Sequence, residues 1–163
     1  MKKIGILSDS HGYTNPDLFE FFKDCSEIWH AGDMCNDEIL YELETIAPVK
    51  AVYGNCDGWD IRDHVPKYQI FDCEQHKVLM AHIVGKPGHY EPDILQLIQT
   101  EKPTLLVAGH SHILRVIRDP KYNLLYINPG AAGKYGFHQL MTFVRFDVDG
   151  NEISNFEIHQ EEK

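Results

Sequence analysis

Along the first two thirds of the chain, apolar positions come in short runs, and each run stops at a cluster of Gly, Asp, Asn, Ser or His. Lys3–Leu7, Glu27–Ala31, Val49–Tyr53 and Thr104–Ala108 have strand length and predict strands. Between them the spacing changes to a helical one. Pro16–Asp24 predicts a helix entered at Asn15 with Pro in its first turn, and Asn36–Ile46 a second. Glu91–Glu101 predicts a third, with Ile94, Leu95, Leu97 and Ile98 as its buried stripe. Tyr68–Phe71 and Lys77–Ala81 read as a hairpin around Asp72-Cys73-Glu74-Gln75. Beyond residue 113 the helical period disappears. Leu114–Arg118, Leu124–Asn128, Met141–Asp147 and Glu152–His159 read as strands, with Asp149-Gly150 as a hairpin signal. Alternating strands and helices followed by strands alone imply an α/β fold. The expected architecture is a four-layer α-β-β-α sandwich, two mixed sheets flanked by helices, formed by residues 1–163 as a single domain.

The residues able to do chemistry sit at the ends of the apolar runs. Ile4-Gly5-Ile6-Leu7 leads into Ser8-Asp9-Ser10-His11, and Ile28-Trp29-His30-Ala31 into Gly32-Asp33. Val49-Lys50-Ala51-Val52-Tyr53 leads into Gly54-Asn55-Cys56-Asp57. Val78-Leu79-Met80-Ala81 ends at His82, and Leu105-Leu106-Val107-Ala108 at Gly109-His110-Ser111-His112. In an open α/β sheet the loops at the carboxyl ends of the strands share one edge, where ligands bind. These loops should therefore bring Asp9, His11, Asp33, Asn55, His82, His110 and His112 together. Gly32, Gly54 and Gly109 suit the tight turns and close backbone approach that this needs.

Two Asp, one Asn and four His are too rich in imidazole for calcium and unusual for magnesium alone. Imidazole with carboxylate and amide oxygen suits manganese, which we expect first, or zinc, iron, nickel or cobalt. One ion rarely takes seven protein ligands, whereas two divalent transition metal ions sharing a carboxylate account for all of them.

The net charge of −10 argues against broad binding to nucleic acid or an anionic membrane, but not against a phosphate ester drawn to two cations. Cys25, Cys35, Cys56 and Cys73 contain no C-x-x-C pair and are expected as reduced, mostly buried thiols. Met1-Lys2-Lys3-Ile4 faintly imitates a secretion signal, but Asp9 and His11 interrupt it, and a cytoplasmic protein without a membrane partner is expected.

The ordered set Asp9-x-His11, Gly32-Asp33, Gly54-Asn55, His82 and Gly109-His110-x-His112 resembles the calcineurin-like metallophosphoesterase superfamily. Within it, the Cys56-Asp57 pair resembles the small single-domain bacterial and archaeal phosphodiesterases. The resemblance implies that one ion takes Asp9, His11 and His112, the other Asn55, His82 and His110, with Asp33 bridging; Asp33, Asn55 and His110 would also serve catalysis. It implies a hydrolase, a phosphodiesterase first, in which two ions about 3.5–4 Å apart activate a bridging hydroxide for in-line attack on phosphorus. A phosphomonoesterase, or a non-catalytic interaction subunit on the same scaffold, are the alternatives. A homodimer is a state that relatives often adopt. The chain departs from the family pattern at Cys56, where a proton-donating His is common, at Ile83, where Gly is common, and at Ala131 after Asn128-Pro129-Gly130, where Ser is frequent.

Other polar residues have plainer roles. Ser8, Ser10 and Ser111 read as turn formers, Asp37 as a carboxylate at a helix start, and His30 as structural or as supporting a ligand. His64, His76, His138 and His159 read as solvated surface, while His89 lies where it can reach substrate. Asp57 is expected to orient Asn55 or Cys56. Arg62, Lys67, Lys86 and Lys134 are candidate phosphate contacts.

Overall fold

The computed structural model describes residues 1–163. In chain order the strands are β1 (Lys2–Leu7), β2 (Glu27–His30), β3 (Val49–Ala51), β4 (Tyr68–Cys73), β5 (His76–Ala81), β6 (Gly85–Lys86), β7 (His89–Tyr90), β8 (Leu105–Val107), β9 (Leu114–Asp119), β10 (Leu124–Pro129), β11 (Leu140–Asp149) and β12 (Glu152–Glu162). The helices are α1 (Asp17–Phe21), α2 (Glu38–Glu44), α3 (Trp59–Arg62) and α4 (Pro92–Glu101).

Two five-stranded sheets form, ordered β12-β11-β1-β2-β3 and β4-β5-β8-β10-β9. In the first, β1, β2 and β3 are parallel and β11 runs antiparallel to β1; in the second, β5, β8 and β10 are parallel and flanked by antiparallel β4 and β9. Both are mixed, as expected.

Alternation along each strand decides what it covers. Ile4 and Ile6 of β1, Trp29 of β2, Val78 and Met80 of β5, and Leu105 and Val107 of β8 meet between the sheets. Leu7 and Ile28 face the other way, against Leu18, Phe22, Ile39, Leu43 and Ile61 of the α1–α3 layer. Leu79 and Leu106 face Ile94 and Ile98 of α4. Central strands are thus buried on both faces, which is why they read as continuous apolar runs. No helix is long and apolar enough to cross a membrane.

The differences from the sequence reading have local causes. Helix α2 begins at Glu38, because the Asn36 side chain accepts the Glu38 N–H in a turn that competes with helix (3.2 Å). Asp37 does not cap the helix with its side chain; its carboxylate faces His64 at 3.4 Å. Helix α1 ends at Phe21, where the chain turns to carry Phe22 into the core. Helix α3 was not anticipated, since four residues with only Ile61 buried leave no period to read. The β6–β7 ladder, Gly85 to Tyr90 and Lys86 to His89, lies in a segment read as loop. The last hairpin closes on Gly150 and Asn151, between the paired Asp149 and Glu152, one residue later than the Asp149-Gly150 signal.

Candidate metal centre

Because β1–β3 are parallel to one another, as are β5 and β8, the loops after them emerge at common edges. Backbone bonds then stitch the loops together: Asp9 N–H to Gly32 O (2.9 Å), His11 N–H to Asp33 O (3.0 Å) and Gly109 N–H to His82 O (3.0 Å). Gly32 has φ +101°, and a Cβ there would lie 2.8 Å from His82 Nδ1. A Cβ at Gly54 would run into the Asp33 carboxylate.

All seven predicted donors meet here. Asp9, His11 and His112 form one group with mutually close donor atoms, and Asp33, His82 and His110 a second, all within 4.8 Å. Asn55 joins the second group, its Oδ1 lying 3.1 Å from His110 Nδ1. Asp33 Oδ2 stands between the groups, 3.6 Å from His11 Nε2 and 3.1 Å from His82 Nε2. Five of the seven hold left-handed backbone: Asp9 (φ 53°), His11 (45°), Asp33 (58°), His110 (71°) and His112 (62°). Each such non-glycine residue costs about 1–3 kcal/mol, tolerated only where the surroundings fix it.

Those surroundings are visible. The Asp57 carboxylate accepts four backbone N–H bonds, from Asp33 (2.9 Å) and Gly54 (2.8 Å) on one oxygen and from Met34 (2.9 Å) and Cys35 (2.8 Å) on the other. It ties the Asp33 loop to the Asn55 loop, so its role is wider than orienting Asn55 or Cys56. Asp33 Oδ1 accepts the Cys56 N–H (2.8 Å). Asp9 Oδ2 accepts Ser8 Oγ–H (2.6 Å) and the His110 N–H (3.0 Å). Asn128 donates to Gly109 O (2.9 Å) and Ser111 Oγ (3.1 Å), which braces the loop bearing His110 and His112.

Histidine tautomers follow from the partners. His82 Nδ1–H donates to Ala31 O (2.7 Å), leaving Nε2 as the atom aimed at Asp33. His138 Nε2–H donates to Gly133 O (2.7 Å), so its Nδ1 accepts from His112 Nδ1–H (3.1 Å) and turns His112 Nε2 toward Asp9. His138 was read as solvated surface and instead supports a candidate ligand. The signal was spatial, since residues 112 and 138 meet only through the fold. His30 is fully buried; it accepts the Gly32 N–H at Nδ1 (3.0 Å) and donates from Nε2 to Ser10 Oγ (2.8 Å).

Burial alone would raise the Asp9 carboxyl, but His11 and His112 more than offset it and hold it below the usual carboxylate range. For Asp33, burial again pushes up and His82 pulls down, with the net shift downward. His82 is the mirror case: burial lowers it, and the Asp33 and Asp9 carboxylates raise it overall. Burial and the Asp33 carboxylate push the Cys56 thiol up to about 11.

The remaining candidates divide. His89 and Lys86 border a groove that reaches His110 and also contains Arg115, a cation the sequence reading did not single out. Arg62 donates from Nε to Asp57 O (2.7 Å) and lies over the Tyr53 ring (4.5 Å), so it braces the Asn55 loop from a groove it shares with Lys67 and His82. Lys134 lies over the Tyr13 ring. Two histidines read as surface are not free: His76 bonds Thr104 Oγ1 (2.8 Å) and Asn151 O (3.0 Å), and His159 stacks on Phe143 (4.4 Å). Cys25 and Cys73 are buried, while Cys35 and Cys56 are exposed beside the donors.

A probable metallophosphoesterase of Methanothermobacter thermautotrophicus is 32% identical over 138 residues, covering 78% of this chain and 76% of the relative. The fold superposes on a predicted phosphoesterase from Streptococcus pneumoniae with a TM-score of 0.73 at 20% identity, covering 99% of this chain and 89% of that one. It also superposes on zinc-complexed Vps29 from Entamoeba histolytica with a TM-score of 0.73 at 16% identity, covering 98% of each chain. The profile of the calcineurin-like phosphoesterase superfamily domain matches residues 1–151, and the chain belongs to that superfamily.

Proposed function

We propose that the chain is a phosphodiesterase working with two divalent ions, one held by Asp9, His11 and His112, the other by Asn55, His82 and His110, with Asp33 shared. One observation carries this reading. His11 Nε2 and His82 Nε2 are buried and make no hydrogen bond, although both side chains are over nine-tenths buried and both nitrogens face Asp33 Oδ2. The 3.1 Å approach of His82 is not aligned as a hydrogen bond. A buried nitrogen with no partner is rare. Two of them around one carboxylate oxygen suit a cation, which a lone pair and a carboxylate can share.

When bound, the ions would supply Lewis acidity for activating water and neutralising phosphoryl charge. The chain's own residues set the geometry. Asp57 holds the Asp33 and Gly54 backbone, Ala31 O fixes the His82 tautomer, and His138 fixes that of His112. Ser8 and Ser10 are fully buried, so neither hydroxyl can reach a substrate phosphorus, which favours direct transfer to water. At position 56 a thiol, with an ordinary pKa of about 8.5, is a poorer match than an imidazole for protonating a leaving group at neutral pH. Esters of acidic phenols should therefore react faster than simple alkyl esters.

The test is metal content by elemental analysis, coupled to hydrolysis of bis(p-nitrophenyl) phosphate and p-nitrophenyl phosphate with Mn²⁺, Zn²⁺, Co²⁺ or Ni²⁺. We expect loss of activity on chelation, best restoration by Mn²⁺, and preference for the diester. Full activity in the chelated, metal-free protein would refute the mechanism. Two bound ions with no turnover of either ester would favour an interaction subunit on this fold.

A further inference from the structure

Three large apolar side chains stand exposed on one side of the donor cluster: Ile113 (65%), Tyr135 (68%) and Phe137, which projects wholly into solvent. Single exposed apolar residues need no explanation, but these three wall one groove of about 660 Å³, a size typical of small-molecule sites. His110 and His112 line the same groove. The Tyr135 ring lies 4.8 Å from the His11 ring, so the apolar wall begins at the rim of the donor cluster itself.

Charge separates this groove from its neighbours. No Asp, Glu, Lys or Arg lines it, although the Lys163 ammonium donates to the backbone O of its Gly136 (2.8 Å). The groove beside Asn55 and His82 contains Arg62 and Lys67, and the one beside His110 on its other side contains Lys86 and Arg115 together with Glu91. An additional anionic group of a substrate is better received beside Arg62 and Lys67. What lies against Tyr135 and Phe137 is neutral, Ile113 being shared with the groove of Lys86 and Arg115, and because the groove reaches candidate ligands it belongs to the molecule whose phosphorus sits at the ions.

We propose that this groove is a subsite for a planar aromatic substituent of the phosphate ester, an aryl group or a nucleobase. The assignment rests on the phosphoesterase reading of the neighbouring donors. Tyr135 and Phe137 both line the groove, and aromatic side chains attract a flat ring in offset or edge-to-face contact, an attraction that an alkyl group of equal size cannot match. The subsite would favour aromatic diesters through binding, independently of any advantage they have as leaving groups.

The test separates binding from leaving-group chemistry by using phenylphosphonate and methylphosphonate, which present the same anionic head. Their dissociation constants from the Mn²⁺-loaded protein are measured by calorimetry for wild type, Phe137→Ala, Tyr135→Ala and Phe137→Trp. Stacking on an aromatic residue, judged by alanine substitution, is worth roughly 5- to 150-fold in affinity. Wild type should prefer phenylphosphonate by at least about fivefold, Phe137→Ala and Tyr135→Ala should move the ratio toward one, and Phe137→Trp should keep it. A ratio unchanged in both alanine variants overturns the subsite while leaving the metal centre standing. If Phe137→Ala instead splits a dimer in sedimentation with the ratio unchanged, the face is an interface between copies and the subsite is overturned. If neither phosphonate binds the metal-loaded wild type, the phosphoesterase reading fails and takes the subsite with it.

Discussion

The Asp57 carboxylate is the place where a single atom change should do the most damage without touching a donor. Its two oxygens accept four backbone N–H groups at 2.8–2.9 Å, from Asp33, Met34, Cys35 and Gly54, and the side chain is buried. Asp57→Asn is close to isosteric but keeps only one accepting oxygen. Whichever way the amide turns, its NH₂ faces two N–H groups, donor against donor. Leaving a buried donor unsatisfied costs about 1–3 kcal/mol, so two cost about 2–6 kcal/mol, and the surviving pair loses its charge assistance. The offset is that a neutral amide is less costly to bury than a carboxylate, so the lower half of that range is the safer expectation. In a domain of this size about 1 kcal/mol corresponds to roughly 2–4 °C in Tm. Urea unfolding of the wild type and Asp57→Asn, both in excess chelator, measures this without a metal contribution. Destabilisation under about 1 kcal/mol would mean that the two loops are fixed by something other than this carboxylate. In a second measurement under limiting metal, the variant should retain fewer ions, because the same N–H groups set where Asp33 and Asn55 stand.

Asp33→Ala should lose both ions where His82→Ala and His112→Ala each weaken chiefly one, and retention of two ions by Asp33→Ala under limiting metal would remove the shared carboxylate. Metal at about a hundred times its dissociation constant should stabilise the fold by roughly 2.7 kcal/mol, so equal Tm values with and without chelator would contradict the site. His138→Ala should weaken the ion nearest His112 by about 10- to 100-fold, the range typical of groups that orient a ligand; an unchanged metal titration would make that hydrogen bond incidental. Cys56→His should narrow the gap in kcat/KM between aryl and alkyl diesters, and a leaving-group slope unchanged by the substitution would show that position 56 donates no proton. Burial holds the His30 imidazole down at about 4 in the folded protein, while the unfolded chain takes up its proton near 6.5. Stability from this group is therefore complete above pH 6.5 and is lost as pH falls toward 4, by up to about 3 kcal/mol. The advantage of wild type over His30→Gln, measured by urea unfolding in chelator, should shrink by that amount across the window, and a constant difference would contradict it.

What could be read from the sequence follows from how each feature is encoded. The donors were legible because each ends a strand, and parallel strands send their carboxyl ends to one edge. Asp9, Asp33 and His82 were thus placed by topology before any contact was known. Parallel strands buried on both faces also announce themselves as unbroken apolar runs, as in Leu105–Val107. The misses are features without a period. Four residues of α3 and two-residue β6 and β7 are shorter than any repeat they would have to show. His76 and His138 were misread for a different reason: their partners lie at Thr104 and His112, 28 and 26 residues away, on elements whose adjacency the chain order does not state, whereas His159 faces Phe143 across the last hairpin, which the chain order does announce. Asp57 falls between these cases. A carboxylate two residues after Asn55 was suspected of supporting the site, but the four N–H groups it gathers point inward only because Gly54 and the left-handed Asp33 and Cys35 turn their backbones toward it. Such convergence belongs to the closed loops and to no local segment. The positions of the candidate donors are therefore written along the chain, while the groups that hold them in place are written only across it.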